Sequence, residues 1–301
     1  MTVKFRNYTE KPGITEDYFQ VRAFLVELGY SEYPFARWDW MITHTYLDVA
    51  ALPRIGLWED QGKLVGLAAF DCYLGPTFCL TAPAYGSLKK EVIQYARSNL
   101  FTDDDSGILI RDTEEEYQEV VAGLGFVASE DTESDAVFYP EKTPMVYSLP
   151  PGYRLTTLQE DYDLYKYGRV LWRGFNHELK GEGPFNFTGE KERALAAEMI
   201  RPNVDLGLKI AVVSPEGYFV SYCGMWYDPE AGFAVVEPVA TDPDYRGRGL
   251  GKAVVLEGIR RVAGLGAKRV FVGSSQQFYY NIGFYPFSTA TRWRMARGTA
   301  E

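Results

Sequence analysis

The sequence predicts an α/β protein of the α+β type, in which one unit of strands and helices occurs twice in succession, and three observations carry that reading. The order read from apolar periodicity is strand, helix pair, three strands, helix, strand and helix in both halves, and Gly125-Phe126 and Gly283-Phe284 close the copies at an offset of 158 residues. Thr143-Pro144 to Pro150-Pro151-Gly152 interrupts the pattern and marks the boundary, giving domains 1–144 and 145–301. A glycine- and arginine-rich loop joins a strand to a helix in the second half and has no counterpart in the first.

The first copy opens with a strand over Val3 to Tyr8. A helix follows from about Thr15, where acidic first-turn residues precede Phe19, Val21, Phe24, Leu25 and Leu28, and it stops at Gly29. A short helix is predicted around Trp38 to Met41. Strands are then predicted over Arg54 to Trp58, Leu64 to Tyr73 and Thr77 to Thr81, the first two joined by the turn Glu59-Asp60-Gln61-Gly62. Ser87 to Leu100 reads as a helix, Gly107 to Ile110 as a strand, Glu114 to Leu124 as a helix, and Ala136 to Tyr139 as the closing strand.

The second copy begins with a strand over Tyr153 to Thr156 and a helix from Glu160 to Phe175. A polar, glycine-containing loop around Asn176 to Thr188 leads to a helix from Glu190 to Ile200. Strands are predicted over Leu208 to Val213, Tyr218 to Tyr227 and Phe233 to Ala240. The helix from Leu250 to Ala263 places Val255, Ile259 and Val262 on one face. A strand over Arg269 to Val272, a short helix from Gln276 to Ile282 and a terminal segment Phe287 to Met295 complete the order.

Composition and charge narrow the function classes. A chain of 301 residues accommodates two domains of about 150 each. The net charge of -10 argues against a general nucleic-acid binder. That charge is uneven, because residues 1–144 carry 12 Lys and Arg against 24 Asp and Glu, whereas the remainder carries 19 against 17. The second half can therefore receive a polyanion without a large repulsive field. The acidic half serves solubility and could also attract a cationic amine. The N-terminus is polar and no long apolar run occurs, so neither a signal peptide nor a membrane span is expected. Cys72, Cys79 and Cys223 show no metal spacing and read as reduced core thiols of a cytoplasmic protein.

The chemistry concentrates in Val236-Glu237-Pro238-Val239-Ala240-Thr241-Asp242-Pro243-Asp244-Tyr245-Arg246-Gly247-Arg248-Gly249-Leu250-Gly251-Lys252. Glycines at 247, 249 and 251 keep side chains away from backbone N–H groups at a helix N-terminus, which can then close on an anion, and Arg246 and Arg248 add positive charge. Two familiar phosphate loops fail here. The P-loop needs glycine where Arg246 stands and Ser or Thr where Ala253 stands. The dinucleotide fingerprint needs glycine at Lys252 or at Val254.

What fits is Arg-x-x-Gly-x-Gly, formed by Arg246, Gly249 and Gly251 after a strand and a Thr-Asp-Pro-Asp-Tyr turn. This resembles the acetyl-CoA loop of the GCN5-related N-acetyltransferase (GNAT) superfamily. The resemblance covers the whole chain in element order, as a tandem of two such domains, and is motif-specific in the second half. It implies that each domain is a mixed, mostly antiparallel sheet flanked by helices. It also implies direct acetyl transfer from acetyl-CoA, as co-substrate, to an amine, with no metal. The backbone of Arg246, Gly247, Arg248, Gly249, Leu250, Gly251 and Lys252 would meet the pyrophosphate. Val239, Ala240 and Thr241 would offer main-chain groups to the pantetheine arm, since Pro238 has no N–H.

A second family motif, a tyrosine four residues before Gly-Phe, falls on Tyr279, whose phenol could protonate the departing thiolate. Ser274 and Ser275 stand where relatives carry an asparagine for the cofactor. Glu237, the acid on an otherwise apolar strand, is the leading general base; His177 in the polar loop is the alternative, and His44 reads as structural. In the first half Ala82 to Lys89 lacks the glycine motif and Val121 stands four before Gly125, so that half is expected to be a degenerate copy without cofactor. The acceptor stays open between a small-molecule amine and a protein or peptide amine. A different class of function, a non-catalytic acyl-CoA-binding or sensing protein, is compatible with the same loop.

Overall fold

A computed structural model of the chain describes residues 2–44, 46–103, 106–201 and 203–296. The first half contains β1 (Lys4–Asn7), α1 (Glu16–Leu28), α2 (Phe35–Met41), β2 (Gly56–Asp60), β3 (Lys63–Asp71), β4 (Tyr73–Thr81), α3 (Lys89–Asn99), β5 (Gly107–Arg111), α4 (Glu115–Gly123) and β6 (Phe126–Phe138). The second contains β7 (Arg154–Thr157), α5 (Leu164–Gly174), α6 (Gly189–Met199), β8 (Lys209–Val213), β9 (Phe219–Asp228), β10 (Phe233–Thr241), α7 (Leu250–Gly264), β11 (Arg269–Val272), α8 (Gln277–Asn281) and β12 (Tyr285–Met295). The expected elements are present in the expected order.

By contacts the chain forms two compact units, Met1–Ser134 with Ser288–Glu301, and Asp135–Phe287. The expected cut at Pro144 thus meets a partition with two crossings, after Ser134 and after Phe287. In the first unit the strands run β1-β2-β3-β4-β5-β12, with β4 and β5 parallel and the other neighbouring pairs antiparallel. In the second unit they run β7-β8-β9-β10-β11 and end on residues 136–138 of β6, with β10 and β11 parallel and the rest antiparallel. Each unit is therefore a mixed, mostly antiparallel sheet, and each takes one strand from the other half of the chain, β12 in the first unit and residues 136–138 of β6 in the second.

That exchange explains the largest difference from expectation among the strands. β6 was expected only from Ala136, because Ser129 to Asp135 is polar and acidic. Its first part is extended nonetheless, held in the first unit by cross-strand ion pairs from Arg292 to Asp131 (2.9 Å) and Glu133 (2.8 Å). These pairs replace the apolar alternation that usually signals a strand. Arg294 adds a contact to Asp131 at 3.2 Å.

The core of the second unit lies on both faces of its sheet. On one face Leu250, Val254, Val255, Ile259 and Val262 of α7 pack against Ile210, Met225, Ala234 and Val236. Burying each such aliphatic side chain contributes about 1.5–3 kcal/mol, which fixes α7 on the sheet. On the other face Tyr167 and Val170 of α5 and Met199 of α6 pack on Ala211, Val213, Phe219 and Tyr222. Asp163 caps α5 by accepting from Lys166 N, so the helix starts there rather than at Glu160.

Candidate active site

β10 sets the site. It pairs with β9 as far as Thr241, but with β11 only over Phe233 to Val235. Beyond Val235 the two parallel strands diverge, and the β11-facing edge of β10 is released from the ladder. A register shift between Val236 and Val239 marks the bulge, where the Glu237–Pro238 peptide is cis. A bulged, half-released strand of this kind presents backbone groups to a ligand instead of to a neighbour.

The glycine loop follows directly. Gly247 and Gly249 have φ of +75° and +78°, a left-handed backbone that glycine adopts without strain. Gly249 is the N-cap of α7 and no side chain caps that end. A helix start leaves its first N–H groups without intrahelical partners and carries partial positive charge, so it favours an anion there. At Gly251 a Cβ would stand 3.2 Å from Thr241 Oγ1 and 3.4 Å from the Phe278 ring, so glycine keeps this approach open.

Loop, strand and two further segments enclose a cleft of about 800 Å³. Val239 and Thr241 line it from β10, and Gly247, Gly249, Gly251 and Lys252 from the loop and the first turn of α7. Gln276, Phe278, Tyr279 and Asn281 line the α8 side. Gly174, Phe175 and Asn176 enter from the end of α5.

The two loop arginines are engaged by protein groups. Arg246 donates to Thr241 O (3.1 Å), Gly174 O (2.8 Å) and Asn176 Oδ1 (2.8 Å). Arg248 donates to Tyr153 Oη (2.8 Å) and to Asp244 O (3.1 Å). Beneath them Asp242 is fully buried and accepts from Arg173 at 2.7 Å, while Arg173 also reaches Asp244 and Glu178 at 2.6 Å. The turn that reads in sequence as a plain connector is therefore an ion-pair lattice joining α5 to the loop.

Tyr279 is buried at the cleft wall between Phe278 and Phe284. Burial pushes its phenol above the usual tyrosine range, and Cys223 and Glu237 push it in the same direction. It therefore holds its proton throughout the neutral range. No hydrogen bond to its hydroxyl occurs among the described residues, which leaves that group available to the cleft. Glu237 sits in the bulge, half-buried, and its carbonyl accepts from Trp226 Nε1 at 2.8 Å.

Other expected residues lie elsewhere. Ala240 is buried against Gly174 rather than lining the cleft. Ser274 accepts from Gln276 N at 3.3 Å, and Gln276 and Asn281 line the cleft where Ser274 and Ser275 were expected. His177 stacks on Trp172 (centroids 4.2 Å apart) and contacts Glu182 at 2.9 Å, within its own loop. His44 packs on Trp40 in the first unit. Gln276, Asn281 and Asn176 carry no periodic or motif signal in the sequence; Asn176 is distinguished by a φ of +65°.

In the first unit the start of α3 is arranged differently. A Cβ on Gly86 would stand 3.0 Å from Glu116 Oε1, and Lys89 donates to Glu116 Oε2 at 2.5 Å. A carboxylate of α4 thus occupies the neighbourhood of this helix start. Among the described residues no group of three or more His, Cys, Asp or Glu could hold a metal ion, and no helix is long and apolar enough to cross a membrane.

A strand released at a bulge, an uncapped glycine-lined helix start and a buried tyrosine thus meet on one cleft of an α/β domain. Residues 172–286, from the end of α5 to the start of β12, match the sequence profile of the acetyltransferase (GNAT) family. The chain therefore carries a GNAT domain in its second half and is an acyltransferase. No curated protein sequence matches the chain. Among solved structures it is similar to a tandem GNAT protein from the clavulanic acid biosynthesis pathway, with TM-score 0.57, 14% identity, and 99% of this chain and 100% of that chain covered. A GCN5-related N-acetyltransferase from Sphaerobacter thermophilus gives TM-score 0.56 at 16% identity, covering 97% and 95%. An acetyltransferase from the GNAT family of Colwellia psychrerythraea gives 0.55 at 10%, covering 98% and 100%. At these identities the likeness concerns the fold.

Proposed function

We propose that the chain is an acetyl-CoA-dependent N-acetyltransferase with one active site, in the second unit, that acts on the primary amine of a small molecule. The observation that carries this reading is the uncapped start of α7, with Gly249 left-handed and Gly251 kept bare, facing the same cleft as the Tyr279 side chain. In this reading the backbone from Arg248 to Lys252 holds the pyrophosphate of acetyl-CoA, and Val239 and Thr241 supply main-chain groups to its pantetheine arm.

The acceptor amine, freed of its proton by Glu237 directly or through water, forms the new C–N bond at the thioester carbonyl. As the C–S bond breaks, Tyr279 gives its proton to the leaving sulfur. Amide and free thiol leave. The first unit is a supporting domain in this reading, supported by the absence of the glycine motif from Ala82 to Lys89 and by the Lys89–Glu116 ion pair packed against Gly86, which takes up the space beside the α3 start. The excess of acidic residues in 1–144 supports a cationic acceptor, and the three free, buried cysteines support a reducing, cytoplasmic setting.

Incubation with acetyl-CoA and a panel of small amines, amino acids, aminoglycosides and peptide N-termini, following free thiol, tests this. Thiol release that depends on a small amine is expected. Cofactor binding without thiol release across the panel would favour the binding or sensing alternative, and release with peptides alone would move the acceptor to proteins.

A further inference from the structure

The Arg246 side chain makes contacts that a phosphate ligand would not need. Its guanidinium spans three oxygens, Thr241 O on β10, Gly174 O at the end of α5, and Asn176 Oδ1 just beyond it. Gly174 lies so close to β10 that a Cβ on it would stand 2.6 Å from Ala240 Cβ and 2.9 Å from Thr241 N. Helix end and strand end are thus pressed together, and Arg246 fastens the seam.

The consequence falls on Asn176. A guanidinium has donors and no acceptor, so the amide atom facing it at 2.8 Å must be the oxygen. The orientation of this amide is therefore settled by chemistry. Its nitrogen points away from Arg246, on a residue whose backbone is held at φ +65° and which lines the cleft beside Val239 and Thr241. No described residue accepts from that nitrogen.

We propose that Asn176 is a binding residue that donates an amide N–H to a carbonyl oxygen of the pantetheine arm, and that Arg246 is a positioning residue that aims it, rather than a phosphate ligand through its side chain. This rests on the proposed use of acyl-CoA. The ligand group is a neutral amide-type carbonyl, because the donor is neutral and the guanidinium beside it, that of Arg246, is already engaged by Thr241 O, Gly174 O and Asn176 Oδ1.

The test uses two probes on the full chain by titration calorimetry: CoA, and the nucleotide half of CoA, which keeps all three phosphates and lacks the pantetheine arm. Asn176→Gly tolerates the left-handed backbone and deletes the amide. Loss of one neutral hydrogen bond should weaken CoA about three- to tenfold and leave the nucleotide half unchanged, which also shows that the variant is folded. Arg246→Ala should have the same selectivity, and the double variant should be no weaker than the worse single variant. The inference is overturned if Asn176→Gly binds CoA like the wild type, or if Arg246→Ala loses the nucleotide half as strongly as CoA. Failure of the wild type to bind either probe would instead overturn the acyl-CoA reading, and this inference with it.

Discussion

Gly224 on β9 and Glu237 on β10 approach so closely that a Cβ on Gly224 would fall inside van der Waals contact of the Glu237 carbonyl oxygen. The same oxygen accepts from Trp226 Nε1 at 2.8 Å, so it cannot move aside cheaply. The bulge that releases β10 therefore depends on a glycine across the ladder. Gly224→Ala should destabilise the protein by about 1–3 kcal/mol, measured by denaturant unfolding, and should weaken acetyl-CoA binding.

Tyr279→Phe removes the proposed acid while keeping the ring between Phe278 and Phe284. Acetyl-CoA affinity should persist and transfer should slow about a hundredfold or more. Because burial raises the phenol above its ordinary 10.0, no loss of wild-type rate from this group is expected until pH rises past 10. Full activity of the variant across that range would assign the acid elsewhere.

At Gly249 an added Cβ meets open space, yet the φ of +78° penalises any L side chain. The strain is about 1–2 kcal/mol, which the helix core can absorb. Gly249→Glu should fold, by circular dichroism, and fail to bind acetyl-CoA because its carboxylate stands at the helix start.

Glu257, buried on α7, would be raised by its burial. Hydrogen bonds from Arg260, Tyr147 and Arg261 more than reverse this, holding it down to about 2. The folded value lies below the ordinary 4.5, so this carboxylate stabilises the fold fully above about pH 4.5 and loses that contribution as pH falls towards 2. Glu257→Gln should cost about 1–3 kcal/mol at neutral pH and should flatten the acid limb of the stability profile in that window.

These features differ in how far the sequence discloses them. β10, α7 and the glycine loop are set by residues within a few positions of one another, so apolar runs, turn residues and glycine spacing suffice to find them. Tyr279 follows from its distance to Gly283-Phe284. β6 escapes the same reading because Asp131 and Glu133 look like loop residues until Arg292, about 160 positions later, lies across from them. Asn176 is equally hidden, since its amide is oriented by an arginine 70 residues away. The splitting of the chain after Ser134 and Phe287, not at Pro144 alone, depends on such long-range pairing too.

The central claim is one acyl-CoA site per chain, built on the start of α7. Titration calorimetry of the full chain with acetyl-CoA measures it directly. A stoichiometry of one acetyl-CoA per chain, abolished by Gly249→Glu and unaffected by Glu116→Gln in the first unit, is the predicted result. Absence of binding, two molecules per chain, or binding that survives Gly249→Glu would contradict it.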